Sequence, residues 1–336
     1  MTWHVVGVDL PPHTLGGVAA WTADAADALA AAGHAVTLYG RDDGDTRAWD
    51  AARSHAVVRM RGRAWLRRQA LWASLSVGPR LRPGDHLLCA TWTVSTALRP
   101  LAAVLGVPLL VGAHGSELTT WATAPPALLA LGSHAHWLPV SRFLSGELDR
   151  LGGAAWRRIV APMPLDPGPP PPARPRAGLV CLSRDTPLKG LDRAVSLARA
   201  LGEPLRLVGA REQGGESTAG VEALGPLPRT AARAALASAR AAVLLPRCRE
   251  DGLGAEGLGL ALLEAAAAGT PAIGCQTGGV PEAVGPGLVL EDPDEPDLAR
   301  VRTWLAGPER GAAARAWVTA NHGPAAFRAA LREVLA

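Results

Sequence analysis

From Asp251 to Glu282 the chain reads DGLGAEGLGLALLEAAAAGTPAIGCQTGGVPE, and the order of residue types in that stretch decides how the chain folds. Glu256 and Glu264 flank seven residues, Gly257 to Leu263, in which a loop turns into a helix. Ala265 to Ala268 continue the helix, Gly269 is placed to end it, and Pro271 to Cys275 read as a short buried strand. A helix start presents free N–H groups, and Gly257 and Gly259 let a ligand come close to that backbone, an arrangement that favours phosphate. Carboxylates one turn before the helix and two turns into it can accept hydrogen bonds from the hydroxyls of a ribose or a hexose. Phosphate and hydroxyls together describe a nucleotide sugar.

With its flanking glycines and prolines, this segment resembles the Glu-x7-Glu region of family 4 glycosyltransferases, retaining enzymes of the GT-B fold; the likeness runs about thirty residues. It implies an α/β protein of two Rossmann-like domains facing each other across a cleft. It also implies transfer of a sugar from a UDP- or GDP-linked donor to a hydroxyl acceptor. The plainer alternative is an alanine-rich core helix whose glutamates are merely solvated.

Working outward, the basic residues are 33 arginines and one lysine, Lys189. One Tyr, two Phe, two Ile and one Asn stand against 11 Trp, which points to a GC-rich coding sequence in which lysine drifts to arginine. The surviving lysine lies in Cys181-Leu-Ser-Arg184-Asp-Thr-Pro-Leu-Lys189-Gly190, directly after an apolar run, Gly178 to Leu182, that reads as a strand. This is similar to the family's GR-x4-KG turn, with Ser183 in place of its glycine, and the resemblance makes Arg184 and Lys189 the grip on the donor diphosphate. The chemistry agrees, because breaking a sugar–phosphate bond builds negative charge on the leaving group that fixed cations stabilise. A surface lysine at a helix start is the competing account.

Strand-like apolar runs alternate with alanine-rich helical stretches along the chain, the pattern of parallel α/β domains. The clearest boundary is residues 166–176 (DPGPPPPARPR), whose six prolines cannot enter a helix or a sheet interior and predict a stiff connector. Expected domains are therefore 1–165 for the acceptor and 177–321 for the donor, with residues 322–336, or the longer stretch from Trp317, crossing back to the first.

In the first domain, Trp3 to Val8 predict a strand, then a loop to Gly16-Gly17, then a helix from Val18 to Ala32. The loop lacks the G-x-G-x-x-G spacing of dinucleotide sites and instead looks like the family's glycine loop, which lets donor phosphates approach at Gly16 and Gly17. Leu109 to Ala113 predict a strand ending in His114-Gly115-Ser116-Glu117, similar to the family's HG[ST][DE] loop, which implies a place for His114 near the reacting sugar. Val140-Ser141-Arg142 begins a further helix. In the second domain Leu224-Gly225-Pro226-Leu227 resembles the turn that meets the nucleobase, and Gly278-Gly279-Val280-Pro281-Glu282 the turn at the rim of the donor site.

The resemblance thus implies His114, Arg184, Lys189 and Glu256 for the chemistry, with Gly16, Gly17, Leu227, Leu258, Gly259, Leu260 and Glu264 for donor binding. In this scheme Glu256 orients the sugar and Glu264 the ribose, and the departing phosphate helps remove the acceptor proton. The two glutamates are not a glycosidase pair. No cofactor or metal is expected. A metal-dependent GT-A transferase is the rival within glycosyl transfer, since D-x-D occurs at Asp43 and Asp45 and at Asp292 and Asp294. A nucleotide-sugar-binding protein without turnover is the rival outside it.

Composition limits the remaining classes. A hydrophobic content of 48% excludes general disorder, and 336 residues suffice for two domains with their own cores. Cys89, Cys181, Cys248 and Cys275 are too scattered for a disulfide framework or zinc site. With neither a signal peptide nor an apolar run of membrane-spanning length, a cytoplasmic protein is expected. Ala51 to Gly84 hold eight arginines and no acid. Leu66, Ala70, Ala73 and Val77 follow a core-facing helical stripe, and Arg61, Arg63, Arg67 and Arg68 lie off it. The Arg59 to Arg82 region is thus a candidate contact for anionic membrane or a phosphorylated acceptor, beside the alternative of a solvated face. No nucleic-acid module is recognisable.

Overall fold

The computed structural model describes residues 1–14, 16–60, 73–170, 175–210 and 220–336. The chain forms two compact units: Met1–Leu165 together with Gly323–Ala336, and Asp166–His322.

Each unit is built on one parallel six-stranded sheet. The first contains β1 (Thr2–Val6), β2 (Ala35–Arg41), β3 (Ala56–Met60), β4 (His86–Cys89), β5 (Leu109–Ala113) and β6 (His136–Pro139), in the order β3-β2-β1-β4-β5-β6. The second contains β7 (Leu179–Leu182), β8 (Leu205–Val208), β9 (Val221–Gly225), β10 (Ala241–Val243), β11 (Ala272–Cys275) and β12 (Leu288–Leu290), in the order β12-β11-β10-β7-β8-β9. Counted within its own unit, each sheet has the doubly wound order 3-2-1-4-5-6. Strand order reverses between β1 and β4 in one sheet and between β7 and β10 in the other. Ligands of such sheets bind beyond the carboxyl ends of the strands at those reversals.

The strands are legible as continuous apolar runs because both faces of each sheet are covered. Leu179, Val180 and Cys181 of β7 and Ala272, Ile273 and Cys275 of β11 are all buried. Leu197, Leu205, Val243, Leu245 and Ile273 close the second core, each large side chain contributing about 1.5–3 kcal/mol on burial. Helix Gly17–Ala30 lies against β2 through small residues, Ala19, Ala23, Ala25, Ala26 and Ala28 being buried beside Trp21 and Leu29. At the amino edge of the first sheet a buried polar cluster aligns β1 with β4. His4 meets the Tyr39 hydroxyl (2.8 Å) and the Asp85 carboxylate (3.3 Å), which also accepts from the Thr2 and Arg82 amides. Fully partnered, such a network fixes register at little cost.

The proline-rich connector is fastened to the second unit. The Arg315 guanidinium donates to the carbonyls of Pro167, Gly168 and Ala267. Helix Gly311–His322 also stays there, with Trp317 packed so closely on Gly285 that a Cβ at 285 would sit 2.5 Å from its ring. The return to the first unit therefore begins at Gly323 rather than at Trp317, because helix Gly311–His322 spends its buried face on helix Leu260–Ala267. Helix Pro324–Leu335 then packs against helix Gly17–Ala30. Of the arginine-rich stretch, Ala73 and Val77 are buried as the stripe predicts, whereas Arg61, Arg63, Leu66, Arg67, Arg68 and Ala70 lie outside the described residues. Among the described residues no helix is long and apolar enough to cross a membrane.

Candidate donor-binding and catalytic site

Two loops meet at the strand-order reversal of the second sheet. From β7 the chain runs through Arg184 to a short 3-10 turn, Pro187–Lys189, and then into helix Leu191–Leu201. From β10 it runs through Pro246 and Arg247 to Glu256. The contact between the loops explains why glycine follows the lysine. Gly190 has φ +64°, and a Cβ there would lie 1.9 Å from the Leu245 carbonyl oxygen. The Arg247 amide donates to Leu188 O (2.8 Å), and the Arg247 guanidinium pairs with Asp192 (2.6 Å for both nitrogens). So joined, the loops place the Lys189 ammonium on the Glu256 carboxylate, and the two side chains retain 25% and 15% of their surface.

Past Glu256 the backbone turns into helix Leu260–Ala267, with Gly259 as N-cap at φ 96°. The N–H groups of Leu258, Gly259 and Leu260 donate to no described residue. Unsatisfied amides at a helix start are an anion site. The stretch is held from behind by the Gly278-Gly279 turn. A Cβ at Gly278 would fall 2.1 Å from Glu256 O and one at Gly279 2.1 Å from Gly257 O, while the Gly279 amide donates to Glu256 O (2.9 Å). The two glycines therefore seat the Glu256–Gly257 backbone.

Glu264 is half-buried on the same helix, just over one turn in. It lies in the field of Arg233, on helix Arg229–Ala237, whose guanidinium is pushed below its ordinary pKa by burial and by Arg315, against Asp166 and Glu264. Arg233 Nη2 is buried without a hydrogen-bond partner among the described residues. Leu227 stands half-buried between β9 and that helix, at the carboxyl end of the sheet. Arg184 shares the β7 loop with Lys189 but is exposed, and its guanidinium forms no hydrogen bond or ion pair with a described residue. Lys189, Glu256 and the helix start are thus gathered in one place, while Arg184 and Leu227 occupy neighbouring loops at the same sheet end and Glu264 lies on the helix itself. Arg233 escapes sequence reasoning, being one of 33 arginines.

In the first unit, His114 follows β5. The Glu117 carboxylate folds back to accept from the His114 and Gly115 amides, which gives the acidic residue of that loop a structural task. The imidazole is half-buried, with its Nε2 beneath the surface and without a hydrogen-bond partner among the described residues. Burial lowers its pKa, only partly opposed by the Glu117 charge and the Ala90 carbonyl, so the ring is neutral at pH 7. Beneath it lies Gly112, where a Cβ would be 2.7 Å from His114 Nε2. A glycine inside an apolar strand marks such an approach, and here it was the available signal. Gly16 and Gly17 are exposed at the start of helix Gly17–Ala30; a Cβ on Gly16, which is extended at φ 170°, would meet nothing. Neither strain nor packing within the chain asks for glycine at that position.

The D-x-D pairs have structural partners. Asp294 receives the Arg193 guanidinium and lies 3.6 Å from Arg247, while Asp292 accepts from the Asp294 and Glu295 amides. Asp43 accepts from the Thr14 hydroxyl and Asp45 pairs with Arg47. All four cysteines are free, and burial pushes the Cys89 and Cys181 thiols up to about 12.

Comparison with known proteins bears on this geometry. The family described as "Glycosyl transferases group 1" matches residues 177–306. A protein of Mycolicibacterium smegmatis named GDP-mannose-dependent alpha-(1-6)-phosphatidylinositol monomannoside mannosyltransferase is 31% identical over 287 residues, covering 71% of this chain and 74% of its own. The protein of the same name from Mycobacterium tuberculosis is 30% identical over 368 aligned positions, covering 93% and 92%. Among solved structures, AviGT4, a glycosyltransferase involved in avilamycin A biosynthesis, superposes with a TM-score of 0.72 at 20% identity over 99% of this chain and 96% of its own. Anabaena Alr3699/HepE in complex with UDP and glucose gives 0.75 at 15% identity over 100% and 99%. Both have the GT-B fold.

Proposed function

Because the chain belongs to the group 1 glycosyl transferases, we propose that it is a retaining, metal-independent hexosyltransferase of family 4 that moves mannose from GDP-mannose to a hydroxyl of a glycolipid. Use of a nucleotide sugar follows from the family, and the relatives' names support GDP-mannose and a lipid-linked acceptor. The observation that carries the reading is the Lys189–Glu256 pair beside the free amides of Leu258 to Leu260, at the strand-order reversal of the second sheet.

In the empty protein Lys189 and Glu256 neutralise each other. An arriving diphosphate takes the ammonium as its own counterion, and the released carboxylate accepts from hydroxyls of the attached sugar. Binding the phosphates and orienting the sugar are thereby linked. In the front-face reaction the bond from the anomeric carbon to the phosphate oxygen breaks as the acceptor oxygen bonds the same face. The acceptor proton passes to the departing phosphate. Arg184, Lys189 and the amides of Leu258, Gly259 and Leu260 hold the growing charge. Glu264 accepts from the ribose and Leu227 lies on the base. Gly16 and Gly17 admit the donor phosphates, and His114, as a neutral imidazole, hydrogen-bonds the reacting sugar; these three rest on the likeness of their motifs. The protein acts at the cytoplasmic side of a membrane, with the Arg59 to Arg82 region as its contact with anionic lipid, although Arg59 itself is taken up by Asp50 and the Pro11 carbonyl.

Thermal-shift titration with GDP-, UDP- and ADP-sugars identifies the donor, since a ligand bound only by the folded state raises its stability. Incubation of GDP-mannose with glycolipid extract and a chelator then reads turnover, and NMR of the product reads the anomer. A stabilising donor that is never consumed assigns the protein to binding without turnover. Loss of activity with the chelator, restored by divalent metal, or an inverted anomer refutes the mechanism.

A further inference from the structure

The His114 imidazole rests on an aromatic stack that begins 213 residues away in sequence. Its ring meets Trp21 edge-on, centroids 4.6 Å apart at 70°, and Trp21 meets Phe327 edge-on at 5.9 Å and 87°. Trp21 and Phe327 are both fully buried. A Cβ built on Gly112 would lie 2.7 Å from His114 Nε2, 2.8 Å from Ala90 O and 3.2 Å from Trp21 Cη2, so strand, carbonyl and indole together enclose the imidazole. Phe327 comes from helix Pro324–Leu335, and that helix is fastened to helix Gly17–Ala30 a second time where the Arg328 guanidinium donates to Ala28 O (3.3 Å).

We propose that Phe327 is a positioning residue for His114, acting through Trp21. This rests on the reading of His114 as a group at the reacting sugar. The β5 backbone and the Ala90 carbonyl confine the ring on one side and Trp21 on another, and Trp21 in turn is backed by Phe327. Aromatic pairs prefer these edge-on geometries, which makes the stack directional rather than a general apolar filler. Shortening Phe327 lets the indole settle toward the C-terminal helix, and the imidazole follows it away from its working position.

The test compares Phe327→Leu with the unaltered protein, measuring kcat, donor KM, GDP affinity by calorimetry and folding by circular dichroism. The expected result is a kcat lowered about tenfold, short of the roughly 10²-fold that a full ångström of misplacement can cost. Donor KM and GDP affinity stay close to unchanged, because Arg184, Lys189, Glu264 and the amides of Leu258 to Leu260 are all in the other unit, and the substitution leaves the Gly16-Gly17 backbone in place. In a His114→Ala background the same substitution has no further effect on kcat, since the ring it positions is gone. Equal losses in both backgrounds, or no loss in either, overturn the proposal. Should Phe327→Leu not fold, Trp21→Phe is read the same way, with a smaller loss expected. If His114→Ala itself keeps full turnover, the functional reading of His114 fails, and the seat is judged by NMR of the labelled imidazole. A moved His114 titration in Phe327→Leu then supports the seat, and an unmoved one refutes it.

Discussion

Replacing Glu256 by Gln is expected to tighten GDP binding while slowing the reaction. The carboxylate and the diphosphate compete for one ammonium, so removing the carboxylate's charge removes a competitor. Open-surface ion pairs are worth about 0–1 kcal/mol, whereas breaking one side of an enclosed pair costs about 3–5 kcal/mol. With side chains 25% and 15% exposed, the Lys189–Glu256 pair falls between these limits. A net worth of about 1–2 kcal/mol transferred to the ligand is roughly a 5- to 30-fold tighter GDP complex. The empty variant loses a comparable amount of stability, because Lys189 is left half-buried without its counterion, and it gains it back on ligation. Isothermal calorimetry with GDP measures the first effect, and melting with and without GDP the second. Turnover of GDP-mannose falls about 10²-fold, since a neutral amide accepts less strongly from sugar hydroxyls than a carboxylate does. Unchanged or weaker GDP binding refutes the competition; tighter binding with undiminished turnover refutes the role of Glu256 on the sugar.

Lys189→Ala is expected to lower turnover by about 10² to 10³ with the fold intact by circular dichroism, the scale for one preorganised electrostatic contact; undiminished turnover removes the lysine from the mechanism. Gly190→Ala forces a Cβ to 1.9 Å from a carbonyl oxygen at φ +64°, so urea denaturation should show a loss of about 3 kcal/mol or more, and a loss below about 1 kcal/mol contradicts the described loop contact. His322 is held by burial at about 4, below its usual 6.5. The unfolded chain therefore binds its proton first, and on the order of 3 kcal/mol of stability, present above about pH 6.5, is lost as pH falls toward 4. His322→Phe should flatten that limb of the melting-temperature profile, and an unaltered limb assigns acid lability elsewhere. Below pH 4 a second loss is expected as Asp27 and Asp85, whose carboxyls sit below their ordinary range, take up protons.

Local order is legible wherever the chain's own chemistry fixes it. Leu109–Ala113 is a strand with the boundaries expected, because a fully covered parallel strand must be apolar throughout. The helix after Gly259 ends where Gly269, at φ +72°, lets the chain leave it. Ser141 caps helix Arg142–Arg150 through the Leu144 amide (3.1 Å). Elsewhere the ends shift by a residue or two. Trp3 to Val8 becomes Thr2–Val6, although the Gly7 amide still donates to Tyr39 O and Val8 O still accepts from the Arg41 amide just past the strand. The site is legible as a set of motifs and not as a set of contacts. Nothing local shows that Lys189 and Glu256, 67 positions apart, hold one another, or that Gly190 and Gly278 each face a foreign carbonyl. Those facts come from strand order, which brings together loops that the sequence keeps apart. Arg184 shows the converse, a motif residue whose role depends on a ligand, since no described side chain engages it.

The first unit is assembled from residues 1–165 and 323–336, on either side of the second in sequence, and this sets an order of events during synthesis. Domains usually complete in the order in which they leave the ribosome. Here residues 1–165 must wait, with Trp21 lacking its Phe327 partner, until the whole of residues 166–322 has been translated. The half made second is free to finish first. A chain stopped within residues 323–336 would keep every second-unit residue proposed to hold the donor and yet leave an open seam in the other unit, so such a truncation should be lost to proteolysis rather than accumulate as a weak enzyme.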